Sequence, residues 1–117
     1  MKFKEILNEE DLLEMANFSK AKHKQLPANM FISYKVSSHG PRIKIQNNYG
    51  NAIQSENMFI MTIPDKKIKG DVGELKTSDI DYFKRFIDKN KKALMDYWEH
   101  GINMDITDVI ESLVFDV

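Results

Sequence analysis

The chain contains no cysteine, which closes the disulfide-framework, zinc-knuckle and thiol-nucleophile readings together. No apolar run approaches the roughly 20 residues needed to span a bilayer. The opening Met1-Lys2-Phe3-Lys4-Glu5 lacks the apolar stretch of a secretory signal, so a cytoplasmic protein is the expectation. Histidine is sparse: His23, His39 and His100 are scattered, without the i, i+4 spacing or paired carboxylates of a metal site. Gly70-Asp71-Val72-Gly73 has too few glycines for a phosphate loop. No metal, nucleotide or other cofactor is therefore assigned. Charge of one sign is missing over long stretches. Between Met15 and Ser55 there is no acidic side chain, only Lys20, Lys22, Lys24, Lys35, Arg42 and Lys44. From Ala93 onward there is no lysine or arginine, only Asp96, Glu99, Asp105, Asp108, Glu111 and Asp116. The formal net charge of -1 conceals this polarity, which points to a basic surface for an anionic partner or an acidic end answering a basic face.

What is present fits one α+β domain over residues 1–117, with 42% hydrophobic and 30% charged residues. Asn8 followed by Glu9, Glu10 and Asp11 predicts a helix start, and the helix should run to about Lys22. Three strand-like runs follow. Met30 to Ser37 alternates Ile32, Tyr34 and Val36 against Phe31, Ser33 and Lys35; Arg42 to Gln46 alternates cleanly; Met58 to Ile63 ends at Pro64. Turn clusters at 38–41 and 47–51 join them into an antiparallel three-stranded meander, with a fourth strand allowed. Residues 65–76 read as a polar loop. Ser78 opens a long helix to about His100, stopped by Gly101, with Asp81 as capping partner. Ile80, Phe83, Ile87, Leu94 and Trp98 form its apolar stripe, flanked by Phe86 and Tyr97. A short amphipathic helix carries Ile106, Val109, Ile110, Leu113 and Val114.

The strongest chemical signal is the middle strand, whose alternation places Arg42 and Lys44 on one face with Lys35 near them. Such a face can hold phosphates, although half of any antiparallel sheet needs polar residues simply to meet water. Lys22 and Lys24 are secondary contacts. His39, Arg42, Lys44 and Tyr49 also make up a metal-free acid–base set of the kind that cleaves RNA. Asn90 falls in the middle of the long helix's apolar stripe. Its amide must find partners, and a tie to a sheet edge or to the preceding loop is the structural reading. Trp98 reads as core. The apolar end Leu113-Val114-Phe115-Asp116-Val117 must bury against its own sheet or another chain, which motivates a homodimer through the C-terminal helix.

Ser38-His39-Gly40-Pro41-Arg42-Ile43-Lys44, together with the spacing Asn90, Leu94, Trp98 on a helix, resembles a small bacterial family of unknown function over residues 38–100. Its members pair a Pro-containing strand entry with an "N-x-x-x-L-x-x-x-W" helix, and a toxin–antitoxin connection is suspected for them. The family pattern has His-x-His where this chain has Arg42-Ile43-Lys44, so no metal or acid–base role carries over. The resemblance implies a bacterial or phage α+β protein. The combined expectation is a binding or regulatory module that contacts nucleic acid or an acidic protein surface through Arg42 and Lys44. A small-toxin ribonuclease, or an inhibitor acting through its acidic C-terminal region, are the alternatives.

Overall fold

Period-two alternation in the first half of the chain and a helical stripe in the second divide the fold between sheet and helix. The computed structural model describes residues 15–33, 40–54 and 56–117. Among the described residues, five strands lie in chain order in one sheet: β1 (Met15–Phe18), β2 (Met30–Ser33), β3 (Arg42–Gln46), β4 (Met58–Thr62) and β5 (Ile68–Lys69). Every neighbouring pair is antiparallel. The long helix α1 spans Thr77–His100, a 3-10 turn follows at Gly101–Asn103, and the short helix α2 spans Ile106–Ser112. No helix among the described residues is long and apolar enough to cross a membrane.

The α+β class and the two C-terminal helices match the sequence reading, whereas the N-terminal helix and the three-stranded meander are corrected. Residues 8–14 of the expected first helix lie outside the described residues. The remainder begins as a strand, with Met15 opposite Ser33 and Phe18 opposite Met30. Pairing there buries Phe18 to 1% exposure and leaves Asn17 exposed, so cross-strand packing overrides local helix preference. One helical turn survives, in which Lys22 N and His23 N donate to Ser19 O at 3.2 and 2.9 Å. The polar stretch 65–76 contains β5, whose two residues are both exposed and leave no burial pattern to read.

One face of the sheet meets α1. Phe18, Met30, Ile32, Ile43, Ile45, Phe59 and Met61 are each at most 1% exposed and share a cluster with Phe83, Phe86, Ile87 and Leu94 of the helix. Tyr97 and Trp98 are also buried, as the stripe predicts, and Tyr82 joins them. The helix opens on Lys76 rather than Ser78: the Lys76 backbone N–H donates to the Asp79 carboxylate at 3.1 Å. Asp105 caps α2 by accepting from Thr107 N at 2.8 Å.

Asn90 is 3% exposed, and its backbone (φ -112°, ψ 17°) interrupts the helix. Its amide turns to the C-terminal segment, not to the sheet. Nδ2 donates to Val114 O at 2.8 Å and to Phe86 O at 3.0 Å, while Oδ1 accepts from Val114 N at 2.7 Å. The segment 113–117 is further fixed where Tyr82 Oη donates to Phe115 O at 2.6 Å and Arg85 Nε to Val117 O at 3.1 Å. The Phe115 ring stacks on His23 at 4.5 Å and lies 5.8 Å from Phe18 and 5.5 Å from Phe86. The apolar end is thus seated on its own chain, with Val114 left 43% exposed.

Candidate anion-binding face

Strand β3 alternates so that Ile43 and Ile45 enter the core, and Arg42 and Lys44 therefore point to the face away from α1. Register carries that face across the sheet. Phe31 lies opposite Lys44, Lys44 opposite Ile60, and Ile60 opposite Lys69, while Arg42 lies opposite Thr62. Lys69 is exposed and joins the two basic residues that the sequence put there. Alternation within one strand could not reveal it, because its place depends on how β5 pairs. The face is not an open polar surface: Phe31 is 1% exposed, Arg42, Lys44 and Ile60 are half-buried, and Arg42 and Lys44 each already make an interaction within the chain.

At one end of this face is a hollow of about 360 Å³ lined by Gly40, Pro41, Arg42, Ile60, Thr62, Ile63 and Lys69. Among the described residues, its walls carry two cations and no carboxylate. Beside it, in the β4–β5 turn, Thr62 Oγ1 donates to the Asp65 carboxylate and accepts from Lys67 N. The Thr62 bond, helped by Lys67 and Lys69 nearby, holds the Asp65 carboxyl below its ordinary pKa.

Other expected site residues are placed elsewhere. Lys35 and His39 lie outside the described residues. Tyr49 follows β3 at the end opposite Arg42, where its hydroxyl donates to the Asp79 carboxylate and accepts from Lys76 N at 3.2 Å. The Asp79 bond raises the Tyr49 pKa. Lys20 Nζ sits 5.7 Å above its ring. The set His39, Arg42, Lys44 and Tyr49 is therefore not gathered among the described residues. Lys22 and Lys24 are exposed on the β1–β2 turn, beside His23 and the C-terminal segment and away from the Arg42 hollow. Gln46, on the same side of β3 as Lys44, is fully buried. Its amide accepts from Asn29 Nδ2 and Gln54 N and donates to Asn48 Oδ1 and Ala52 O, so it holds the β3–β4 loop rather than a partner. The run of Asn and Gln from Gln46 to Asn57 was the available signal for this network. Among the described residues, no group of three or more side chains is arranged to hold a metal.

Partial burial, with Lys22 adding to it, holds the His23 pKa below 6.5. The folded chain then favours neutral His23, and the unfolded chain binds more protons between the lowered value and 6.5. The stability that His23 contributes is present above that window and is lost as pH falls through it. Thermal unfolding at about pH 7.5 and about pH 5.5 should show the decline, and His23→Phe should flatten it. An unchanged slope in the variant would assign the pH dependence to other groups.

A scan of protein-family models, a search of curated proteins and a search of solved structures each give no match to this chain.

Proposed function

We propose that this chain is a non-catalytic binding module that holds an anionic partner against the outer face of its sheet. The observation that supports the reading is the hollow beside Arg42 and Lys69, whose walls, among the described residues, carry cations and aliphatic side chains and no acidic one. Lys44 extends the cationic surface: it stands two strands from Lys69, about 10 Å at the usual strand spacing. Arg42 is already engaged within the chain, but a guanidinium has several N–H donors and can serve a second acceptor. Among the described residues no exposed aromatic shares the face, since Phe31 is 1% exposed. Base stacking is therefore not offered, and recognition would address phosphates or carboxylates.

The test is a salt series with fluorescent single-stranded RNA, duplex DNA and an acidic polypeptide. Three phosphate contacts would give a log–log salt slope of about -2 on a single strand. Lys69→Glu, an exposed change, should weaken binding about tenfold at low salt, a change of about 1.4 kcal/mol. A double Lys22→Ala, Lys24→Ala variant should bind much as the parent does. If that double variant loses binding and Lys69→Glu does not, the contact belongs to the β1–β2 turn. Absence of binding to every polyanion at low salt would defeat the reading.

A further inference from the structure

Building on the anion-binding reading of the outer face, we infer that the hollow beside Arg42 and Lys69 is a site for a phosphate monoester carried on a sugar. That chemistry is shared by a 5′-phosphorylated strand end and a free sugar phosphate. Strand β4 lies between β3 and β5, so Ile60 and Thr62 form the floor, with Arg42 on one side and Lys69 on the other. The two cationic residues stand two strands apart and two residues out of step, about 12 Å at the usual strand dimensions. Both side chains are long enough to close on one group placed between them.

Charge favours the monoester. It carries about -1.5 to -2 at pH 7, whereas a phosphodiester or a carboxylate carries a single charge, so the monoester makes fullest use of both cations. Arg42 is half-buried and engaged within the chain, which steadies its guanidinium at the wall. Shape favours it too. Ile63 N donates to Pro41 O at 3.0 Å and closes the hollow at the end of the sheet. Toward the middle of the same face Phe31 is 1% exposed, so a strand has no open track along it. A closed end of this kind suits a terminal group better than a link within a chain. The volume of about 360 Å³ is near the lower limit for small-molecule sites, with room for a phosphate and a sugar but not for a base pair. Pro41, Ile60 and Ile63 offer aliphatic contact to the sugar ring. The Asp65 carboxylate beside the hollow accepts from Thr62 Oγ1 and lies 3.8 Å from Lys67 Nζ, so its charge is answered locally.

Fluorescence anisotropy at about 150 mM salt, where diffuse attraction is screened, compares a 3′-labelled single strand bearing a 5′-phosphate with the same strand ending in a 5′-hydroxyl. The phosphorylated strand should bind at least about tenfold tighter, and Lys69→Gln should remove most of that difference. Lys69 is exposed, so its replacement leaves the core in place. Competition by about millimolar ribose 5-phosphate, but not by ribose, assigns the site to the free sugar phosphate; the same preference without competition assigns it to the strand end. Equal affinities of the two strands overturn the monoester site while the proposed function stands, whereas absence of binding to every polyanion at low salt removes both. Tighter binding of a phosphoserine peptide than of the phosphorylated strand also overturns it. NMR of the parent chain with the phosphorylated strand gives a second readout. Shifts of the Gly40, Thr62 and Lys69 amides support the site, and shifts confined to the turn carrying Lys22 and Lys24 overturn it.

Discussion

Replacing Asn90 with leucine lowers the stability of the chain by about 2–4 kcal/mol and releases the segment 113–117. The Asn90 amide satisfies the N–H and C=O of Val114 at 2.7 and 2.8 Å from a position that is itself 3% exposed. Leucine supplies similar volume, so little cavity is left and the loss is mainly that of paired polar groups. Helix preference works in the opposite direction, because leucine suits a helix interior better than asparagine by about half a kcal/mol. For a domain of this size the net change corresponds to a fall in melting temperature of about 10 °C. Urea denaturation gives the free energy, and hydrogen exchange at Val114 should accelerate well beyond that of the α1 core. Asn90→Asp separates the amide's two roles. Its carboxylate can still accept from Val114 N, but it faces the carbonyl oxygens of Phe86 and Val114 with no proton to offer. Burial and those oxygens favour the protonated acid in the folded state, so this variant should gain stability as pH falls. A leucine variant within about 0.5 kcal/mol of the parent would show that the amide does not clamp the segment.

The same residue marks where a linear reading stops. Helical periodicity was enough to place Asn90 among Phe83, Phe86, Ile87 and Leu94, because α1 repeats its apolar positions over 24 residues. Its partner was not legible: Val114 is 24 residues away, and nothing local sets where the chain returns after α2. Alternation likewise fixed the facing of Arg42 and Lys44, whereas the arrival of Lys69 beside them required the β4–β5 register. Strand β1 was misread because Lys20 and Lys22, near its end, look like the basic last turn of a helix; the decisive information was the pairing with β2. Gln46 shares by alternation the side of β3 that carries Arg42 and Lys44, yet it is fully buried. Its burial arises because the following loop folds back and presents Ala52 O and Gln54 N to its amide. In each case a residue's direction followed from its own element, and its partner depended on another.

Gly73→Ala should be the most damaging of the glycine substitutions, costing about 3 kcal/mol or more. Gly73 has φ +59°, and a Cβ built there would lie 2.3 Å from Asn47 O and 2.9 Å from Asn47 Cβ. That oxygen accepts from Glu74 N at 2.9 Å, Asn47 Nδ2 donates to Asp71 O at 3.1 Å, and Gly73 N donates to Asp71 Oδ1 at 2.8 Å. The turn 71–74 therefore clasps the residue just after β3, next to Tyr49, whose hydroxyl bonds the first turn of α1. A methyl group cannot fit without moving backbone, and the movement would loosen the join between helix and sheet. Comparison with other positions isolates the cause. Gly70 has φ +106° but its nearest contact would be 3.4 Å, so alanine there incurs conformational strain of about 1–2 kcal/mol without a steric collision. Gly40 has nothing within 4 Å, and alanine there should be close to neutral. Gly73→Asn is the sharpest variant, because asparagine tolerates positive φ yet carries the same Cβ. If urea midpoints place Gly73→Asn near the parent, backbone conformation alone required the glycine. If it is as damaging as Gly73→Ala, the requirement is the close approach to Asn47, and the polar loop that looked like a mere connector is part of what sets α1 on the sheet.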